Sequence, residues 1–307
     1  MKREVMGLIV KRDDGSEIIN YDDSSFPTYV YKGWLKPNVT WERVPHFHED
    51  IEMVTVTSGT IAYSVNGKTI VLHEGDTIFV NSNQIHYSMS ITEEIARYII
   101  FIFNPSIIST SLAVEMNAVR PITGNHDLTY LRFNSLNEFT QEIAELMVSL
   151  PDIRRDPFQI TKTLFSIWDI ILKQSTVKDL IEENGNDAAD THSKFLKQMM
   201  FYIQNNFRDP ITLDDFAGNV NISRSLCNKI FKQYAQESPI GYVMHFRARK
   251  AAELLRSSNM SLTEIAEHTG FNGASYMSEI FKKYFNTSPA KYRKNWTNPN
   301  NTGEPTD

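Results

Sequence analysis

The sequence predicts an α+β protein of several domains: an antiparallel β-barrel, then a pair of long helices, then an all-α unit. Three observations predict it. Short β-branched runs broken by turn residues fill the stretch from about Ser25 to Phe103. After Ser135 the hydrophobic period changes from that of a strand to that of a helix. The segment from Thr212 to Tyr292 then repeats itself once.

The strands come first. IEMVTVTSG and TIAYSV are followed by Asn66-Gly67 and then KTIVL. Asn-Gly between two such runs predicts a hairpin, because a type I′ turn needs positive φ at both central residues. TIFV and ARYIIFIF continue the pattern, and short strands with closely spaced turns predict a barrel over residues 1–130. Next, Leu136, Phe139, Ile143, Leu146 and Met147 recur at helical spacing. A second run from Phe158 to about Glu183 carries Ile160, Leu164, Ile167, Trp168, Ile171 and Leu172 on one side. These two helices define a packing or dimerisation segment, 131–184. ENGNDAADTH is short of apolar residues, which places a linker at 185–192. An all-helical unit follows over 193–296, and 297–307 reads as a disordered tail.

Composition sets bounds on function. The chain has 307 residues, 41% hydrophobic and 22% charged, the balance of an ordinary globular protein. Its longest apolar run, Tyr98 to Phe103, is far short of the roughly 20 residues of a spanning helix. The one cysteine, Cys227, cannot form an internal disulfide, and a reducing, cytoplasmic setting with no membrane partner is expected. Charge is unevenly placed. Residues 1–190 carry 16 Lys and Arg against 27 Asp and Glu, whereas residues 191–296 carry 15 against 8. A basic unit on an acidic chain points to a polyanionic partner for that unit.

The repeat gives that partner a form. Leu213 and Ala217 match Leu262 and Ala266, and Ile230-Phe231-Lys232 matches Ile280-Phe281-Lys282. Thr212 with Asp215, and Ser261 with Glu264, have the spacing of helix-capping boxes. Gly270 stands where a helix would end in the left-handed conformation. Each copy therefore reads as a short helix, a turn and a second helix: helix-turn-helix construction. The face left outward on the first copy offers Arg224, Ser225, Asn228, Lys229 and Lys232. The second offers Ser275, Tyr276, Ser278, Glu279, Lys282 and Lys283. Asn reads adenine, Arg or Lys reads guanine, Glu accepts from cytosine, and flanking lysines reach phosphates. Between the copies SPIGYVMHFRARKAAELLRSSNM reads as one helix that could set two reading heads about one DNA turn apart, roughly 34 Å.

These stretches, FRARKAAELLRSSNMSLTEIA and TGFNGASYMSEIFKKYFNTSPAKYR above all, closely resemble the DNA-binding domain of the AraC/XylS family of bacterial transcription regulators. Cys227 stands where that family usually has leucine, and Glu279 where a basic or polar residue is common, which leaves the second head's base preference open. The resemblance implies that one chain places both heads in successive major grooves.

In the barrel, His46-Phe-His48, Glu52 and the later His86 resemble the two motifs of the cupin family, with Asn81-Ser82-Asn83 in place of the usual Pro-x-Gly turn. The resemblance implies a cupin-like barrel in which His46, His48, Glu52 and His86 converge. Two uses are open: ligands of a divalent ion such as Zn²⁺, Fe²⁺ or Mn²⁺, or walls of an effector pocket with no metal, together with Tyr31, Trp34, Trp41 and Arg43. No cofactor is expected. A polar ligand with stackable faces would suit the pocket, and a sugar is the reading made.

The leading reading is a DNA-binding transcription regulator that is not an enzyme, switched by a small molecule in the barrel. Its partners would be promoter DNA, the effector, RNA polymerase and a second copy in a homodimer. On this reading the effector changes the barrel's contacts with the helices at 135–183. A metal-dependent cupin enzyme with a helical appendage, and a regulator whose barrel only dimerises, are the alternatives.

Overall fold

Antiparallel pairing organises the first half of the chain, as its alternating strands require. The computed structural model describes residues 10–11, 16–37, 44–125, 127–134, 138–173 and 191–297. The strands are β1 Val10–Lys11, β2 Glu17–Ile18, β3 Thr28–Leu35, β4 Ile51–Ser58, β5 Thr60–Val65, β6 Lys68–His73, β7 Thr77–Val80, β8 His86–Ser90, β9 Ala96–Phe103 and β10 Tyr130–Phe133. One sheet has the order β10-β7-β4-β9-β3 and a second has β6-β5-β8. The expected turn joins β5 to β6, with Asn66 at φ 48° and Gly67 at φ 82°.

The two sheets face each other across an apolar interior. Val54, Val56, Ile78 and Tyr98 from one meet Ile61, Tyr63, Val65 and Leu72 from the other. On the outer face of the larger sheet, Met53, Phe79, Phe101 and Phe103 meet two helices, α1 Glu138–Ile153 and α2 Pro157–Lys173. Trp168 packs against the rings of Phe79 and Phe103 and donates its indole N–H to the Ala118 carbonyl at 3.0 Å. The helical period after Ser135 is thus used to cover the sheet. Part of the second run, beyond Lys173, lies outside the described residues, as do most of the proposed linker and tail.

The second half is all helix: α3 Thr191–Asn206, α4 Leu213–Asn219, α5 Arg224–Ala235, α6 Pro239–Ser257, α7 Leu262–His268, α8 Ala274–Phe285 and α9 Pro289–Thr297. Helix α3 starts two residues inside the stretch read as linker. Both capping boxes form, Thr212 with Asp215 and Ser261 with Glu264. Gly270 has φ +74°, and a Cβ there would meet the Phe207 carbonyl oxygen at 2.6 Å. Helix α6 is buried on more than one side, because it serves both helical pairs and also meets the barrel. Among the described residues no helix is long and apolar enough to cross a membrane.

Candidate functional site

Two short segments carry the barrel's histidines. His46 and His48 lie on the stretch before β4, and His86 opens β8. Backbone bonds pair the two segments, His46 N to His86 O at 3.1 Å and His86 N to His46 O at 2.9 Å. Glu52 enters from β4. The candidate ligand atoms of His46, His48, Glu52 and His86 all lie within 4.8 Å of one another. The convergence that the cupin resemblance implies for these four is therefore present in the fold.

The hydrogen bonds decide which ring nitrogens face the centre. Nδ1 of His46 meets Val44 O at 3.0 Å, Nδ1 of His48 meets Asp50 O at 3.0 Å, and Nδ1 of His86 meets Gln84 O at 2.8 Å. A carbonyl can only accept, so each Nδ1 carries a proton and each ring turns its Nε2 inward. His48 and His86 each hold Nε2 at 3.4 Å from Oε2 of Glu52. Nε2 of His86 is buried with no hydrogen-bond partner. Tyr63 donates its hydroxyl to Oε1 of Glu52.

Electrostatics follow from this crowding. Burial pushes His46 down to about 4, only partly offset by Glu17 and Glu52. Burial also opposes charge on His48, but the hydrogen bond and charge of Glu52, backed by Glu17 and Asp50, outweigh it and raise His48 above 6.5. Glu52 is penalised by burial, yet the charge of His86 and the hydrogen bond from His48 hold it well below the usual carboxylate range. Burial and the Glu52 charge drive Tyr63 well above an ordinary phenol. Three imidazoles fixed through Nδ1, one carboxylate fixed by a tyrosine and one orphaned inward nitrogen fit a divalent cation with an N₃O donor set.

A cavity of about 240 Å³ opens beside the cluster. His46, His48 and Glu52 line it, with Tyr29, Tyr63 and Tyr98 from the barrel. Its other wall is helix α6, through Arg249, Ala252, Glu253 and Arg256, with Phe285 and Tyr292 beyond. Sequence reasoning missed this wall. The spacing of 249, 252, 253 and 256 marks one face of a helix, but nothing in the sequence says what that face meets. Two expected pocket residues are corrected. Tyr31 and Trp34 do not line the cavity: Tyr29 takes the wall and stacks on Tyr31 at 6.2 Å, while strand alternation turns Trp34 to the opposite face of β3. Trp41 and Arg43 lie outside the described residues. The helices α1 and α2, expected to sense the effector, do not line this cavity; they cover the far side of the sheet.

The helical faces are as open as reading faces must be. Arg224, Ser225, Asn228, Lys229 and Lys232 are exposed along α5, and Ser275, Tyr276, Glu279, Lys282 and Lys283 along α8. Arg224 forms a two-pronged ion pair with Asp214 of α4. Ser278 differs: it is half-buried and its hydroxyl bonds back to the Ala274 carbonyl at 2.7 Å. Cys227, fully buried against Met199, is held up at about 11 by burial and stays a thiol.

Comparison with known proteins matches both halves. A helix-turn-helix domain family matches residues 216–295 and a cupin domain family matches residues 36–103. The chain is 26% identical over 278 residues to the uncharacterized HTH-type transcriptional regulator YdeC of Bacillus subtilis, covering 91% of this chain and 95% of that one. It is 22% identical to the HTH-type transcriptional activator RhaS of Escherichia coli O157:H7, covering 88% and 94%. Among solved structures, ToxT from Vibrio cholerae with a bound unsaturated fatty acid aligns at a TM-score of 0.46 and 14% identity, over 90% of this chain and 97% of that chain.

Proposed function

The chain belongs to the AraC/XylS family of transcription regulators, a DNA-binding regulator and not an enzyme, and from that premise we propose that the cavity between barrel and α6 is where its small-molecule effector acts. One observation carries this reading. The cavity is walled on one side by the histidine cluster and on the other by the helix that joins the two helix-turn-helix pairs. A ligand there contacts both halves at once, so its binding free energy can differ between arrangements of the halves, the requirement for any switch.

Arg224, Asn228, Lys229, Ser275, Tyr276 and Glu279 are assigned to base edges or their immediate surroundings, with Lys232, Lys282 and Lys283 on phosphates. The donor set of His46, His48, Glu52 and His86 would hold a divalent cation, against the first expectation of no cofactor, and the ion would supply a fixed positive charge at the cavity's inner end. Tyrosine-rich walls beside that polar end suit a polar molecule with a flat apolar face, of which a carbohydrate is one. The domain division proposed is barrel 1–130, helical cover 131–184 and DNA-binding unit 193–296, in a cytoplasmic homodimer that meets RNA polymerase at the promoter.

The test is a titration of full-length protein against a duplex selected by that protein from a random pool, at fixed salt. It is run with and without divalent metal and a ligand panel containing sugars. A shift in affinity with one ligand, lost in Tyr63→Phe or Arg249→Gln, supports the site. Unchanged affinity and transcription across the panel would remove the switch while leaving the DNA binding.

A further inference from the structure

The segments that carry the histidines face two ways. In extended backbone successive side chains point to opposite sides. His46 and His48 turn toward the cluster, and Phe47 between them turns away. His86 turns toward it, and Ile85 before it turns away. Val44, Phe47 and Ile85 are 2%, 3% and 1% exposed; Val44 also lines the cavity, and all three belong to the apolar cluster of the helical unit. They share one apolar cluster with Leu196 and Met199 of α3, Phe231 of α5 and Tyr242 of α6.

Polar contacts hold the same seam. Tyr242 donates its hydroxyl to the Pro45 carbonyl at 3.3 Å. Lys197 donates to the Asn83 carbonyl at 2.6 Å and sits 4.8 Å from the Phe47 ring. Asn66 at the hairpin tip clasps Ile85 through both backbone groups, at 2.7 and 3.0 Å. A Cβ on Gly67 next to it would lie 2.8 Å from the Gln233 carbonyl oxygen of α5. The barrel's two ligand-bearing segments are thus part of the core of the first reading head.

We infer that Phe47 and Ile85 are positioning residues that couple occupancy of the histidine cluster to the placement of the first helix-turn-helix. A cation that draws three imidazoles onto common ligand positions fixes the backbone of both segments. That fixes where Phe47 and Ile85 enter the core beneath α5. Close-packed cores pass such small shifts on to their neighbours. The inference rests on the reading that the cluster binds a cation, and it places the route of the signal along the 44–48 and 84–86 segments, apart from the cavity wall at Arg249.

The experiment uses the full-length protein with Zn²⁺ or Mn²⁺ alone as probe. Two quantities are measured for each variant: metal affinity, by competition with a chelator, and affinity for the selected duplex with and without metal. In the wild type the metal should change DNA affinity by about 10-fold, within the usual range of coupling between sites. Phe47→Ala should bind metal within about 3-fold of wild type yet show the same DNA affinity with and without it. Phe47→Leu, which refills most of the space, should recover the response. Ile85→Val and the milder Lys197→Ala give a reduced response should Phe47→Ala fail to fold. Full metal response in folded Phe47→Ala, or in both milder variants, overturns the coupling route. Metal binding without any DNA response in the wild type overturns it too. No metal binding by the wild type overturns the cation reading itself, a result distinct from the other two.

Discussion

His46 and His86 exchange backbone hydrogen bonds, and the exchange brings their rings to a centroid separation of 4.3 Å. Imidazoles this close cannot both carry charge cheaply in a buried site. The pair is therefore a place to hold lone pairs inward, and Nδ1 bonding to carbonyls on both rings does that.

Removing one ring should remove most of the metal affinity. His48→Ala and His86→Ala are each expected to weaken Zn²⁺ or Mn²⁺ binding by more than about 10-fold, since losing even a supporting partner of a metal ligand costs that much. At metal concentrations near 100 times the dissociation constant, the wild type should gain about 2.7 kcal/mol of stability. The melting temperature read with and without chelator checks it. Equal shifts in wild type and both variants would place the metal elsewhere.

Acid stability of the metal-free protein should report on His46. Burial holds His46 at about 4 in the folded chain against 6.5 when free. Between those values the unfolded chain binds more protons, so this group's penalty is absent above about pH 6.5 and grows as pH falls toward 4, to about 3 kcal/mol. Glu52, held low, withdraws its contribution further down, as pH falls through its folded value below 4.5. His48, held above 6.5, acts in the other direction and loses its contribution as pH rises through its raised value. His46→Gln should flatten the limb between 6.5 and 4 in urea midpoints taken with chelator. An unchanged limb would assign it to another group.

On α5 and α8 the expected effects divide by type of contact. Asn228→Ala should cost about 1–3 kcal/mol on the selected duplex and relax preference at one position. Lys282→Ala should weaken every sequence alike and lower the salt slope by about one. Anisotropy titrations on selected and random duplexes over a salt series separate them. Equal losses on random DNA would show Asn228 to be a backbone contact.

Much of this was legible because it depends on local chemistry. Capping boxes at Thr212 and Ser261, positive φ at Gly67 and Gly270, and the repeat itself are properties of neighbouring residues. The histidine convergence was implied by the cupin resemblance, while spacing alone placed only His46 and His48 on one face of a strand. What stayed hidden was which surface meets which. Trp34 fell on the wrong face because one step along a strand reverses direction. The Arg249 to Arg256 face of α6 was hidden because a helix buried on several sides has no single apolar stripe to read. Phe47 stands between two histidines, where the sequence assigns it nothing, and only the fold reveals it inside the core of another unit.

The helical cover should supply the dimer contact, and α2 shows where. Phe158, Phe165 and Leu172 recur at seven-residue spacing, with Phe158 at 74% and Leu172 at 39% exposure and Phe165 half-buried. The buried stripe of the same helix, Ile160, Leu164, Ile167 and Ile171, already faces the sheet. A second apolar stripe at heptad spacing suits a copy of itself in a two-fold contact. Exposed Leu112 and Met116 lie on the adjoining turns, and a groove lined by Val114, Phe165 and Leu172 runs beside the stripe. The paired substitution Phe158→Glu with Leu172→Glu should turn a dimer into a monomer in sedimentation velocity while leaving the melting temperature of the chain nearly unchanged, because neither side chain is in the core. A monomer has one pair of reading heads in place of two, so affinity for a duplex with two sites should fall to that for a single site. A dimer that persists through both changes would move the contact off α2.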